Sequence, residues 1–472
     1  MKSHMKKFCF LLVGTCVMSL VAEESALAQA TNAEQSTSGQ QNEGAAASLM
    51  DDIVVTATKK TKAEDLQKVP ISASAFGQDQ LAALQFKSLE SLTYALPNVQ
   101  MDSVGTQKGI ANFTIRGVAV NSSVVSIEPA VGTFIDGVYL GTNYAVNLDM
   151  FDVETVEVLR GPQGVLFGRN VTGGAVSVRT RRPDGHTRMT GKLSVESGLR
   201  GNGSLVTGAA SVEGAIIPDK FFAKITALGS TDSGYFHNKV LNRNDGKTNT
   251  YFVRPSFVAH PTDSVDLTLV LEHGETHGDG PVSQNSAYAD GFETAANFPG
   301  KTSLRYNSLM FETNAAVGDT GKITNILGYR GFKLDTAYGF DGSPTPAYHI
   351  LYHTKQDQFS NELRYSDRFI DTVDFVTGLY YFTQDIFYIN RDDLIYVNKI
   401  RDYGGTQKQE SYGVFANADV DILEKLRLGF GARYSIDKKR VDVVTGRATP
   451  ANQLCNFNTL SCQSAFRDHK TF

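Results

Sequence analysis

VETVEVLRGPQGVLFGRNVTGGAVSVRTRRP, residues Val153 to Pro183, is the stretch on which the reading of the whole chain turns. Val156 and Val158 alternate with polar residues near its start and Val176 and Val178 near its end, the period-two pattern of half-buried strands. Between them Gly161, Gly164, Gly168, Gly173 and Gly174 supply positive-φ turns and close backbone approach. No nucleophile with a base, no paired catalytic carboxylates and no phosphate-binding loop accompany the arginines. The stretch describes a compact β module without covalent chemistry, and no enzyme, cofactor or resident metal is expected.

Towards the N-terminus, Lys2, Lys6 and Lys7 precede an apolar run from Phe8 to Ala22 and a small-x-small site at Ala26-Leu27-Ala28, so residues 1–28 form a secretory signal peptide. No other segment offers the ~18 consecutive apolar residues of a spanning helix, which excludes a helical membrane protein. An exported chain rich in Gly (43), Tyr (19) and Phe (28), with mean hydropathy −0.21, can still cross a membrane as a β-barrel. Composition alone does not separate that from a secreted β protein. Cys9 and Cys16 leave with the signal peptide, and in an oxidising compartment Cys455 and Cys462 are expected to close a small disulfide loop, since a metal site would need further ligands nearby. The net charge of −5 offers no basic surface for nucleic acid.

Residues 29–50 are Gln, Ser, Ala, Asn and Gly with little to bury, a flexible tether. Asp51 to Thr58 follows as a short β-branched run, and residues 59–186 form one globular unit with helical spacing over Gln78–Leu84 and Leu89–Leu96. With Phe113-Thr114-Ile115-Arg116-Gly117 and Gly132 to Tyr139, and with LRGPQG, FGRN and TGGA in order, this unit resembles the plug domain of TonB-dependent outer-membrane receptors. The signature positions are Arg116, Gly117, Asp136, Gly137, Arg160, Gly161, Pro162, Gly168, Asn170, Gly173 and Gly174. The resemblance makes residues 51–58 the TonB box, in which Asp52, Ile53, Val54, Val55, Thr56 and Ala57 add as a strand to the periplasmic protein TonB. It also implies that some of Arg116, Glu154, Glu157, Arg160, Arg169 and Arg179 face a barrel wall.

From residue 187 to 472 the texture becomes long alternating strands, such as Leu426 to Ile436 against Arg427 to Asp437. A transmembrane β-strand needs ~9–11 residues of this pattern. About eleven segments qualify, beginning near Arg188, Leu205, Phe221, Thr250, Val265, Thr302, Lys322, Gln356, Thr372, Gln409 and Lys425. Tight turns at 217–219, 260–263, 318–321, 369–371 and 423–424 alternate with long loops at 231–249, 274–301, 335–355, 390–408 and beyond 441. Short turns on the periplasmic side and long loops outside are the economy of an outer-membrane barrel. His349 with His353, and His273 with His277, are read as exposed loop residues rather than ligands to a heme or metal complex.

The expected fold is therefore an α+β plug followed by an antiparallel transmembrane β-barrel. Family barrels close on about twenty-two strands, so only about the first half is expected here, in a chain truncated within its barrel. The resemblance implies active import of a scarce ligand across the outer membrane, most concretely a ferric siderophore carried as cargo. Cobalamin, oligosaccharides and aromatic compounds are the other cargo classes, and a non-transporting fragment is the alternative. Partners implied are the TonB complex, outer-membrane lipid and the small ligand, met around Asp102–Gln107, Val120–Glu128 and the long loops. A signal-transducing receptor would need a further folded domain before the box, for which 29–50 is too short.

Overall fold

The computed structural model describes residues 54–471 apart from 56–58, 62–63, 66–68, 70, 104–108, 121, 123, 147–148, 198–202, 371, 424–425, 447–448 and 451–464. The expected leader and tether, Asp52, Ile53, Thr56 and Ala57 of the box, and Cys455 and Cys462 lie outside the described residues. Val54–Val55 (β1) pairs antiparallel with Glu64–Asp65 (β2), so the described part of the box is already a strand partner.

Ser72–Gly77 (β3) leads into Gln78–Ala83 (α1), where the Gln80 side chain accepts from the Gly77 N–H at 3.3 Å, one arm of a capping box. The second expected helix is shorter than its spacing suggests: a 3-10 turn at Leu89–Ser91 runs into Leu92–Ala95 (α2), and Leu96, before Pro97, is extended. Val99–Ser103 (β4) pairs with Ala111–Ile115 (β5). Val131–Ile135 (β6), Val138–Tyr139 (β7), Val153–Arg160 (β8) and Gly174–Thr180 (β9) join β3 in a sheet of order β3-β8-β9-β6-β7, parallel only between β6 and β9. One helical turn, Gly164–Phe167 (α3), stands between β8 and β9 where turns alone are expected.

The strands of the opening stretch are not half-buried. Val156, Val158, Val176 and Val178 fill a core with Leu89, Leu92 and Ile115 on the helical side. Leu159 and Ala175, on the opposite face, are equally inaccessible, packed with Phe134, Tyr139 and Phe382. Phe382 belongs to the barrel, so a second apolar surface covers the face that alternation assigned to solvent.

The barrel wall has eleven long strands, each antiparallel to the next: Arg188–Ser197 (β10), Ser204–Ile217 (β11), Phe221–Asp232 (β12), Thr248–Thr262 (β15), Val265–Gly278 (β16), Lys301–Val317 (β18), Gly321–Gly339 (β19), Tyr348–Phe369 (β20), Val373–Leu394 (β21), Lys399–Leu423 (β22) and Leu426–Gly446 (β23). Thr449–Pro450 (β24) pairs with β22, and Ala465–Thr471 (β25) pairs with β23. All five tight turns fall where the sequence puts them. Phe236–Asn238 (β13), Arg243–Asp245 (β14) and Glu293–Thr294 (β17) give the first two long loops a small sheet of their own.

Two long loops are largely strand instead. β19 runs on to Gly339 and β20 begins at Tyr348, while β21 and β22 are separated only by a 3-10 turn at Ile395–Val397. A strand of 22 residues spans about 70 Å at ~3.3 Å per residue, more than twice the ~30 Å of hydrocarbon. Beyond the outward apolar band both faces carry polar side chains, so the apolar–polar alternation fades while pairing continues through contacts such as Arg391 to Asp402 at 2.8 Å. The histidines accordingly sit on strands: His349 and His353 on β20, His273 and His277 on β16. His353 contacts Asp335, His277 contacts Glu275, and His349 stacks on Phe298.

Within the wall, residues of one parity face the plug and those of the other form an outward band in which Leu363, Leu379, Val414, Phe430 and Tyr434 are exposed. Exposed apolar side chains on the outer face of a sheet that is polar within are the inversion a lipid-facing barrel requires.

Candidate coupling site between plug and wall

The plug signature residues are mostly backbone devices. Arg116 (φ +51) with Gly117 (φ +78), and Asp136 (φ +49) with Gly137 (φ +80), are the paired left-handed positions of two-residue hairpins, the second joining β6 to β7. The Asp136 carboxylate also accepts from the Thr180 N–H at 2.9 Å and the Thr180 hydroxyl at 2.8 Å, tying that turn to the end of β9. A Cβ on Gly174 would stand 2.3 Å from the Leu159 carbonyl oxygen, and one on Gly168 would meet the guanidinium of Arg433 on the wall. The Gly161 N–H donates to Gly173 O at 3.0 Å, Asn170 donates to the Tyr139 hydroxyl at 2.8 Å, and Pro162 stands exposed between β8 and α3.

Arg116 and Arg160 lie side by side over β3, donating to Ser72 and Ser74 at 2.9 Å each. Burial, and secondarily Arg116, hold the Arg160 guanidinium below its ordinary value. Among the described residues Arg116, Arg160, Glu154 and Arg179 form no ion pair with the wall: Arg179 pairs with Glu154 at 3.4 Å inside the plug. Of the charged residues named from sequence, Arg169 reaches the wall, 3.6 Å from Asp437 and in contact with Glu128.

The residues that tie plug to wall are others. Lys59 is buried between the rings of Phe167 and Phe415, at 5.2 and 5.7 Å, with Glu362 of β20 at 2.7 Å and the Leu166 carbonyl oxygen at 2.8 Å. Burial pushes its ammonium below the ordinary lysine range; Glu362 opposes that and Arg364 reinforces it. Lys60 reaches Glu64 at 2.8 Å and Asp419 of β22 at 2.6 Å, and Glu64 accepts from Arg427 of β23 at 2.9 Å.

Against the first strands of the wall, Asp152 receives Arg181 at 2.7 Å and Lys224 of β12 at 2.5 Å, while Arg181 also reaches Glu213 of β11 at 2.6 Å. Burial works against the charged form of Asp152, yet Lys224 and Arg181 outweigh it and hold the carboxyl below its ordinary value. Arg182 pairs with Glu312 of β18 at 2.5 Å. Between these two groups a cavity of about 550 Å³ separates the plug from β12 to β20, with Lys59, Lys60 and Thr61 along one side and Arg182, Glu312 and Glu362 among its lining.

Nearer the long loops the contacts change character. Gln358, Gln384 and Gln409 are direct cross-strand neighbours, all buried. Gln358 accepts from the Gly141 N–H at 3.0 Å and donates to Tyr139 O, and Gln409 donates to Glu128 at 2.7 Å. Arg254 and Arg330 donate to backbone oxygens of the plug, at Phe151 and at Tyr144 and Ala145. In the segment expected to meet ligand, Val125 is buried beside Tyr144 and Glu128 is engaged by Gln409, whereas Val124 and Ile127 are exposed; residues 104–107 lie outside the described set.

The missed residues carried a signal. Glu213, Lys224, Glu312 and Glu362 are charges at plug-facing parity in the halves of their strands nearest the tight turns. Lys59, Lys60, Arg181 and Arg182 flank the recognised motifs and read as ordinary surface charge until a wall stands opposite them.

The family model described as TonB-dependent Receptor Plug Domain matches residues 65–175. The chain is 28% identical over 194 residues to the pesticin receptor of Yersinia pestis, covering 41% of this chain and 27% of that protein. It is 24% identical over 209 residues to the ferrichrome outer membrane transporter/phage receptor of Escherichia coli K12, covering 43% and 25% respectively. The chain thus spans about a quarter of the length of these curated relatives. Among solved structures it is similar to the ferric yersiniabactin uptake receptor FyuA from Yersinia pestis, with TM-score 0.71, 18% identity, and 85% of this chain and 60% of that one covered. The open form of the ferric-catecholate import receptor Fiu from E. coli K12 gives TM-score 0.64 at 14% identity, covering 89% and 68%. With a TonB-dependent receptor plug domain matched over residues 65–175 and a barrel wall of the same build, the chain resembles the TonB-dependent receptors of the outer membrane.

Proposed function

We propose that the chain imports a scarce ligand, most concretely a ferric siderophore, across the outer membrane, with TonB drawing on residues 52–57. One observation carries this: the box strand Val54–Val55 leads within a few residues to Lys59 and Lys60, which line the plug–wall cavity and are tied to the wall by ion pairs. A pull on the box reaches those two lysines first. The outer membrane holds no nucleotide and no ion gradient, so the work is supplied by contact, and the ligand's passage follows from a change in plug position rather than from chemistry at a site. Strand addition by TonB requires backbone donors and acceptors at Val54 and Val55, now engaged by Glu64 and Asp65 in a two-residue pair that yields easily.

Relatives named for ferrichrome and ferrioxamine favour an iron chelate; those named as vitamin B12 transporters keep cobalamin as the next cargo to assay. Val54→Pro removes a donor from the box, and uptake of labelled ferric chelate by cells should be lost with surface binding intact; undiminished uptake removes the coupling assignment. Uptake of labelled cobalamin but of no ferric chelate would transfer the proposal to the other cargo.

A further inference from the structure

The cavity between plug and wall holds a charge that coupling does not use. Lys322, at the tight-turn end of β19, lines it from the wall. Its direct cross-strand neighbours are Ala316 and Ser366, neither of them charged. Among the described residues no carboxylate lies within ion-pair distance of its ammonium and no acceptor receives its protons. The charges that bear on it from farther off are Glu312 and Asp266, set against Arg364 and Arg179.

The carboxylates that line the cavity are already engaged. Glu362 is shared by Lys59 at 2.7 Å and Arg364 at 3.0 Å, and Glu312 by Arg182 at 2.5 Å and the Asn314 amide at 2.6 Å. Asp266 meets His260 at 2.5 Å, Asp136 is held by Thr180, and Asp184 accepts from the His186 N–H at 3.0 Å. The cations are less well served. Besides Lys322, the Nε–H groups of Arg179 and Arg182 are buried with no acceptor among the described residues. Enclosed donors on charged groups are costly until an anion meets them. The same cavity presents Phe222, Val258 and Ile326, and its volume of about 550 Å³ falls within the ~300–1,000 Å³ of small-molecule sites.

We propose that this cavity is a second ligand site, at the tight-turn end of the molecule, for a small molecule carrying a carboxylate on a flat apolar body. Lys322 and the unengaged edges of Arg179 and Arg182 hold the carboxylate, and Phe222, Val258 and Ile326 receive the body. These few donors match the two oxygens of a carboxylate and leave the further oxygens of a phosphate without partners. The role of the site, though not its existence, rests on the import reading: a cargo that has passed the plug is held here before release.

The test is a fluorine NMR titration of para-fluorobenzoate into the whole chain in detergent micelles, with no iron and no TonB present. Wild type should bind saturably, Lys322→Gln about tenfold more weakly, Lys322→Arg nearly as well as wild type, and Lys408→Gln, on the outward face, as wild type does. No binding by wild type, equal binding by Lys322→Gln, or equal affinity for the methyl ester, which keeps the ring and lacks the charge, would each overturn the proposal. Should Lys322→Gln fail to assemble, photolysis of para-azidobenzoate with wild type decides: adducts on β12, β15 or β19 around the cavity support the site, and adducts confined to the long loops refute it. Because neither cargo nor energy enters the assay, its failure leaves the import reading standing, and loss of uptake in Val54→Pro leaves this binding unchanged.

Discussion

Replacing Lys59 by methionine should tighten the docking of residues 59–65 on the wall, although it removes an ion pair. At 2.7 Å from Glu362 the ammonium gains about 6 kcal/mol of attraction at an effective dielectric near 20. Against this stand several kcal/mol of desolvation per buried ion and repulsion from Arg364 and Arg433. The balance is legible in the depressed Lys59 value: with every neighbour counted, the charged form is worse off docked than in water, by about 1.4 kcal/mol for each pH unit of depression. Methionine keeps the volume between Phe167 and Phe415, and Glu362 keeps Arg364 at 3.0 Å, so its carboxylate is not left uncompensated. Hydrogen exchange over residues 59–65 in membranes should therefore slow by at least about tenfold, and uptake should fall with ligand binding unchanged. Because docking expels the Lys59 proton more readily than solution does, docking of the wild type should strengthen as pH rises through the docked value to the ordinary lysine value, with no dependence below. Faster exchange in Lys59→Met than in wild type would refute the reasoning, showing the pair to be a net clasp.

Asp152→Asn should loosen the junction of plug and wall by about 3 kcal/mol, because Lys224 is left buried with its charge uncompensated; thermal melting of the plug reads this. The same carboxylate predicts an acid limit: its docked value lies below the ordinary one, so its stabilisation holds above the ordinary aspartate range and drains away as pH falls through the docked value. Gly174→Ala places a Cβ against the Leu159 carbonyl at a φ of +152, and should abolish plug protection against protease while the wall still assembles. Ile370 is a β-branched residue at φ +51 with an exposed side chain, so Ile370→Gly should stabilise that tight turn by up to about 1 kcal/mol, visible as a raised melting temperature.

The wall strands were legible because each has one face in lipid and the other towards the plug, and four of the five tight turns announced themselves through Pro, Gly or Asp. Where both faces carry polar or small residues, as from Asp335 to Gly339 and Lys399 to Lys408, apolar–polar alternation fades and strand reads as loop. The plug motifs were legible as glycine pairs, and Asp136-Gly137 between apolar runs also carried a local hairpin signal that Arg116-Gly117 lacks. The docking residues were not: Gln358 meets Tyr139 across 219 positions and Lys59 meets Glu362 across 303, and no local period encodes a partner that distant. For the same reason the two-sided burial of β8 and β9 was hidden, since the covering surface comes from Phe382.

The short pairing of β1 with β2 sets how the molecule bears tension. A load applied ahead of Val54 meets the Val54–Asp65 contact, then Val55–Glu64, and after them Lys59 and Lys60. Arranged in series, these bonds are peeled singly instead of sheared together, so the peak force is that of the strongest single contact rather than their sum. The plug sheet beyond them, five strands deep, feels the full load only after the segment has straightened, which makes residues 54–65 a slack length of line between winch and anchor.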